Sequence, residues 1–321
     1  MVGAYKIRVH NNSGSYTFEL KRNLTVLRGS SGRGKTTLYD MIRDYNRYGK
    51  NSGVSVSCDR DIFALDDKNW ADFIEKHPGS IIVIDEDNEY IRSTDFARIV
   101  KGSDNYFLLI TRCYLANLPI SVDEIYELTG NKNNKLVRIY TDENRMFNKP
   151  YIGRLPFIPE VIITEDSNSG FQFFNAIAKE NNIKCISAEG KSNIFDILNG
   201  YPDKNVVVIA DGAAFGAEIE MITGQQLLRP NKIAIFLPES FEWLLLKSGV
   251  VDVPDNDRVD NAEQYADSKL FMSWEQYFSQ YIQKITSKKA YMKYSKKKLK
   301  EYYLNDKNVE KVKGVIKGIR L

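Results

Sequence analysis

Residues Gly29 to Thr36 fit the spacing Gly-x-x-x-x-Gly-Lys-Thr, with a further glycine, Gly32, inside the run. Glycines at this density let consecutive backbone N–H groups turn toward one anion, and a helix beginning where the run ends adds a partial positive charge. That is chemistry for holding phosphate. Gly29, Ser30, Ser31, Gly32, Arg33 and Gly34 form the cradle. Lys35 then reaches the β- and γ-phosphates of a nucleotide, and the hydroxyl of Thr36, followed by Thr37, is placed to ligate Mg²⁺. The alternative is a turn that merely shares the spacing.

Acids follow at intervals that suit the same chemistry. "SIIVIDE" puts Asp85 and Glu86 at the end of an apolar stretch, 50 residues beyond Lys35. Asp85 can hold Mg²⁺ through water, and Glu86 can orient or deprotonate an attacking water. "LLITR" ends in Thr111 and Arg112, a place for a group that senses the γ-phosphate, although Arg112 could equally make an ordinary ion pair. In the second half of the chain Glu165 closes "VIIT", Glu189 follows "CISA" and Asp211 closes "VVVIA". Acids at the ends of parallel strands gather on one edge, where ligands bind. Glu165 and Asp211 are candidates for a second Mg²⁺ site, since that ion takes hard oxygen ligands and can serve phosphodiester chemistry. The bland reading of these acids is helix N-caps at strand-to-helix corners.

The elements that must position these residues read as two α/β domains. "AYKIRVH" and "SYTFEL" alternate around the turn-forming "NNSGS", a hairpin signal. "LTVLRG" is the strand that feeds the glycine run, and "KTTLYDMIRDYNRYG" is a helix closed by Gly49. "GVSVSC", "SIIVIDE" and "NYFLLITR" are strands; "DKNWADFIEKHPG" and "STDFARIVKG" are helices between them. Past "NKNNK", the stretch "KLVRIYTDENRMFNKPYIGRLP" is a connector carrying one strand. Four strand-helix pairs then follow between "FIPEVIITE" and "ESFEWLLLKSG", and "SWEQYFSQYIQKIT" and the basic tail finish as helices. Alternation of this kind predicts mostly parallel sheets covered on both faces. The boundaries expected are 1–133 for the phosphate-binding domain, 134–156 for the connector, 157–250 for the second domain and 251–321 for a loop and basic helical region.

A chain of 321 residues, 43% hydrophobic and 27% charged, is long enough for two cores. No apolar run is long enough to cross a bilayer, so no membrane partner is expected. Cys58, Cys113 and Cys185 are far apart, without C-x-x-C spacing, which suits a reduced, cytoplasmic setting rather than a disulfide framework. The two histidines, His10 and His77, leave little scope for histidine-based catalysis. The net charge of +3 hides an asymmetry. From Tyr281 to Leu321 there are 13 Lys and Arg against 3 Asp and Glu, a local +10 that leaves −7 for the rest. Tyr291, Tyr294, Tyr302 and Tyr303 are interleaved with those lysines. Such a segment can follow a DNA or RNA backbone and stack on bases, or it can be a solvated helix that packs its tyrosines inward.

The glycine loop, the Asp85–Glu86 pair and the preceding hairpin, over roughly residues 4 to 112, resemble the P-loop ATPases of the ABC, SMC and RecF-like group. That resemblance implies ATP and Mg²⁺ as ligands and Glu86, Lys35 and Arg112 as catalytic groups. It departs from the group in lacking a Leu-Ser-Gly-Gly-Gln-like signature and room for a large helical insertion. The order of Glu165 in "EDSNSG" and Asp211 and Gly216 in "DGAAFG", over about residues 157 to 247, resembles a Toprim domain, a Rossmann-like fold. Here Ala213 stands where that family has its second aspartate. Asp166, Glu218, Glu220, Glu239 or Glu242 could compensate. An ATPase followed by a Toprim-like domain is similar to the OLD-family nucleases. The function expected is therefore ATP hydrolysis that controls a domain cutting or gripping nucleic acid. A regulatory switch with a non-catalytic second domain and a small-molecule kinase are the alternatives, and a homo-oligomer or partner protein fits either of the first two readings.

Overall fold

A computed structural model describes residues 1–30, 32–66, 68–86, 88–141, 157–229 and 231–316. Ser31 of the glycine run, residues 142–156 of the connector and the last five residues lie outside this description. The chain divides into two units: Met1–Ile139 with Asn261–Ser273, and Tyr140–Asp260 with Trp274–Leu321.

In the first unit the apolar runs become buried strands. β1 (Tyr5–His10) and β2 (Ser15–Leu20) form the expected antiparallel hairpin, and Asn11 closes its turn by accepting the N–H groups of Ser13 and Gly14. β3 (Leu24–Arg28), β6 (Ile81–Ile84) and β7 (Tyr106–Ile110) are buried along their whole length, as strands covered on both faces must be. With β4 (Ser55–Ser57), β5 (Ile62–Ala64), β8 (Ile125–Thr129) and β9 (Asn133–Arg138) they make one mostly parallel sheet, ordered β4-β1-β2-β9-β8-β3-β7-β6-β5. Alternation sorts the helices. Leu108 and Ile110 pack with Leu38, Tyr39 and Ile42 of helix α1 (Lys35–Tyr48), whereas Phe107 meets Phe96 of α3 (Thr94–Gly102). Phe96 also touches Trp70 of α2 (Trp70–Lys76), and Ser93 caps α3 by accepting the Phe96 N–H. The returning segment is stitched on by Gly3 N–H to the Glu263 carbonyl at 2.6 Å and Asn23 Nδ2 to the Met272 carbonyl at 3.2 Å.

The second unit holds β10 (Val161–Thr164), β11 (Lys184–Ser187), β12 (Val206–Ile209) and β13 (Ile233–Phe236). They form an all-parallel sheet ordered β11-β10-β12-β13. The crossovers are helices α4 (Ser169–Glu180), α5 (Ile194–Asn199) and α6 (Ile219–Leu228), and α7 (Phe241–Lys247) follows β13. A short helix α8 (Asp257–Asp260), the longer α9 (Trp274–Thr286), α10 (Glu301–Leu304) and α11 (Asp306–Val315) complete it.

Three local differences from the sequence reading have physical causes. β5 has only three residues, too few to show a period. β8 follows a 3₁₀ turn that contains Asp123 and Glu124, so no apolar run announces it. The basic segment 287–300 is not helical, against expectation; helix is confined to α9, α10 and α11. Its backbone bonds to the rest of the unit instead: Tyr294 N–H donates to Thr286 Oγ1 and the Lys296 carbonyl accepts from Ser169 N–H. Tertiary partners here override a helical composition. Among the described residues no helix is long and apolar enough to cross a membrane.

Candidate functional site

In the first sheet β7 lies between β3 and β6, with Leu27 opposite Ile110 and Ile84 opposite Leu109. The carboxyl ends of three neighbouring strands therefore place the glycine run, Asp85 and Thr111–Arg112 on one edge. Gly29, Gly32 and Gly34 have φ of 118°, 78° and 88°, the left-handed region in which a side chain is strained. At Gly34 space forbids one too, because an added Cβ would lie 2.8 Å from the Tyr16 hydroxyl. Lys35 is 5% exposed, and its Nζ donates to the carbonyls of Gly29 at 2.7 Å and Ser30 at 3.0 Å. Burial lowers the pKa of this ammonium; the charge of Glu86 opposes that, Arg112 adds to it and Asp85 opposes it. All four groups thus share one field.

Asp85 is buried and its Oδ1 accepts the Glu86 N–H at 2.8 Å. Glu86 pairs with Arg112, Oε2 to Nε at 3.2 Å. Thr111 is buried with its hydroxyl accepting the Cys113 N–H, so the exposed end of β7 presents Arg112. Arg33, Thr36 and Thr37 are exposed at the start of α1. An accessible Thr36 hydroxyl and a strand-end carboxylate at Asp85 fit Mg²⁺, which binds through one or two protein oxygens with phosphates and water supplying the rest. One contributor was not legible in the sequence. Tyr16 of β2 donates its hydroxyl to the Gly34 carbonyl at 3.0 Å and is within hydrogen-bonding reach of Thr37. Alternation in "SYTFEL" shows Tyr16 as inward-facing; only the sheet brings it to the loop.

The second unit gathers its acids at the switch point between β10 and β12. Asp211 N–H donates to Glu165 Oε2 at 3.0 Å, and Phe241 N–H at the start of α7 donates to Asp211 Oδ1 at 3.1 Å. A cavity of about 20 Å³, room for one water or ion, lies among Glu165, Asp166, Asp211, Pro238 and Phe241. Burial pushes Glu165 up to about 7; the Asp211 N–H opposes this and the Glu275 charge adds to it. Burial also raises Asp211, helped by the charges of Glu275, Glu165 and Glu242 and opposed by Lys296. Asp166 accepts the Phe171 N–H at 3.0 Å.

Other expected acids fall elsewhere. Glu189 is exposed, Glu220 is exposed, and Glu218 is buried in an ion pair with Lys191 at 3.4 Å. Ala213 is 2% exposed, with its N–H donated to the Glu239 carbonyl. Glu242 is 1% exposed and accepts Tyr294 Oη at 2.7 Å and Ser279 Oγ at 2.8 Å. Glu275 pairs with Lys296. Sequence reasoning missed Lys296 and Glu275, and it read Tyr294 only as one of the tyrosines interleaved with the tail lysines, without its partner Glu242. Two of those tyrosines, Tyr294 and Tyr303, are buried, while Tyr291 is 65% exposed. Among the described residues no group of three or more His, Cys, Asp or Glu is disposed to hold a metal ion. Comparison with family models, with curated proteins and with solved structures found no match.

Proposed function

We propose that the protein is a magnesium-dependent ATPase whose nucleotide state governs a Toprim-like second unit that engages nucleic acid. The observation that carries the first half is the convergence of Lys35, Thr36, Asp85, Glu86 and Arg112 on one sheet edge beside a left-handed glycine loop. In this reading Lys35 exchanges the carbonyls of Gly29 and Ser30 for the β- and γ-phosphate oxygens, while the loop N–H groups take the remaining lone pairs. Thr36 and Asp85 would hold Mg²⁺, whose charge would offset that of the phosphates. Arg112 turns from Glu86 to the γ-phosphate. Glu86, so released, orients the attacking water and accepts its proton.

What supports nucleic acid as the partner is the exposed charge of the basic segment. Lys284, Lys288, Lys293, Lys297 and Lys298 are exposed, and Tyr291 stands among them. Exposed lysines can contact a phosphate backbone, and an accessible ring can stack on a base. The test is phosphate release from ATP by the full chain with Mg²⁺, alone and with single-stranded or duplex DNA or RNA. Hydrolysis that disappears in Lys35→Ala and changes rate with nucleic acid is expected. A parent protein that binds neither ATP nor GTP in calorimetry would refute the first half, and a rate indifferent to every nucleic acid would refute the second.

A further inference from the structure

One face of the strands β4, β1, β2, β9 and β8 packs on the core with α1, and the other presents a row of exposed polar side chains. Ile7 and Val9 of β1, Phe18 of β2 and Leu128 of β8 share that core with Leu38 and Ile42 of α1. Their alternates point the other way and are exposed: Ser57 of β4, Arg8 of β1, Thr17 of β2, Lys135 of β9 and Thr129 of β8. The register lines these up. Ser57 lies opposite Arg8, Arg8 opposite Thr17, Thr17 opposite Lys135, and Lys135 opposite Thr129. Hydroxyl and cation thus alternate across five strands with no acid in the row.

A third cation, Lys6, is exposed on the same face of β1, two residues before Arg8. Among the described residues no side-chain hydrogen bond or ion pair engages Lys6, Arg8 or Lys135. That is unlike the helices of the same unit, where Arg43, Arg47, Lys76 and Arg98 each have a carboxylate within 3.2 Å. Glu19 stands directly opposite Lys6 yet pairs with Lys21 at 3.5 Å. The exposed Glu127, two residues before Thr129 on β8, bounds the cationic row on one side.

We infer that this face of the first unit is a contact surface for the sugar-phosphate backbone of a nucleic acid. It rests on nucleic acid being the partner, as proposed above, and adds a second surface to the basic segment. Neighbouring strands lie about 4.8 Å apart, so Arg8 and Lys135, with Thr17 between them, stand about 10 Å apart, and Lys6 follows Arg8 by about 7 Å along β1. Cations spaced in this way meet successive charges of a polymer, whereas a single phosphate is held by groups that converge on it. The hydroxyls of Ser57, Thr17 and Thr129 can donate to phosphate oxygens between the cations. A lipid surface asks for apolar anchors as well as charge, and the row has none. It also has no aromatic ring to stack on a base, so the contact is with the backbone and independent of sequence.

The test is fluorescence anisotropy of a labelled duplex and a labelled single strand of DNA, each of mixed sequence, titrated with the full chain without nucleotide at several salt concentrations. Arg8→Gln/Lys135→Gln changes two exposed side chains. It should weaken binding about tenfold and flatten the dependence of log K on log salt by about 1.5–2. Glu127→Gln should tighten binding, a gain that a folding defect does not imitate. Lys293→Gln/Lys297→Gln probes the basic segment separately. A parent that binds DNA, with affinity and salt slope unchanged in Arg8→Gln/Lys135→Gln, would overturn the inference and leave the basic segment its role. A parent that binds neither DNA would overturn the inference together with nucleic acid as the partner.

Discussion

Two carboxyl edges in this molecule combine a lysine with acids at the ends of parallel strands, yet they treat the lysine oppositely. In the first unit Lys35 Nζ rests on two backbone carbonyls, which are neutral and leave its charge uncompensated at short range. Its nearby acids, Asp85 and Glu86, are engaged by a backbone N–H and by Arg112. In the second unit Lys296 is paired directly with Glu275 on a segment fastened to α4. A cation held by dipoles can be drawn to an incoming phosphate. One held by a carboxylate is already neutralised. The same residue types thus leave a lysine on neutral backbone carbonyls in one unit and tie one to a carboxylate in the other, and only the first arrangement suits the proposed phosphate site.

The largest expected effect that would break this comparison is on hydrolysis. Lys35→Ala and Glu86→Gln should each lower ATP turnover by about 10²–10³-fold, measured as phosphate release, since each removes a group that meets charge or a proton in the transition state. Activity within threefold of the parent in both would remove the contrast between the two lysines.

Next comes a pH effect that belongs to the first unit's interior and not to its site. Glu124 is 1% exposed, accepts the Thr25 hydroxyl at 3.0 Å and faces Arg22 at 3.5 Å. Burial raises its pKa from the ordinary 4.5 to about 7, against the opposing charge of Arg22. Because the folded state holds this proton more tightly, the associated stability is full below pH 4.5 and is lost as pH rises through about 7. Urea unfolding of Glu124→Gln should lack this component, up to about 3 kcal/mol of the parent's decline over that window. A parallel pH dependence in both proteins would assign the slope to other acids.

Tyrosine hydroxyls sharpen the comparison at smaller scale. Tyr294→Phe breaks a bond to the buried Glu242 carboxylate and should cost about 1.5–3 kcal/mol in urea unfolding. It should also open the lysines of 293–298 to trypsin. Tyr16→Phe breaks a neutral bond to the Gly34 carbonyl and should cost only about 0.5–1.5 kcal/mol, with a weaker ATP affinity read by calorimetry. Equal costs would mean that the carboxylate at Glu242 contributes nothing special.

Legibility followed range along the chain. The glycine loop, its strand and helix, and Asp85 with Glu86 are local patterns, and the left-handed glycines and buried strand ends appear where the spacing puts them. Glu165 and Asp211 were legible as strand ends, and β10 and β12 are neighbours. The strands β5 and β8 were not, because three residues, or five after an acidic turn, carry no period. Nor was the course of the basic segment, since its lysines and tyrosines suit solvent, nucleic acid and a protein surface equally.

By itself, then, the sequence determined the left-handed glycine loop between β3 and α1, because glycine freedom, a strand before and a helix after act within a dozen residues. It also determined that the chain is α/β, because continuous apolar runs alternating with amphipathic ones leave few other packings. Only the tertiary structure decided where the basic excess goes. Ser169 and Lys296 are 127 positions apart, and their hydrogen bond, like the pairing of Tyr294 with Glu242, arises from which edge of the sheet the returning chain can reach. Charge neutralisation depends on distance in space, and no spacing along the chain encodes it.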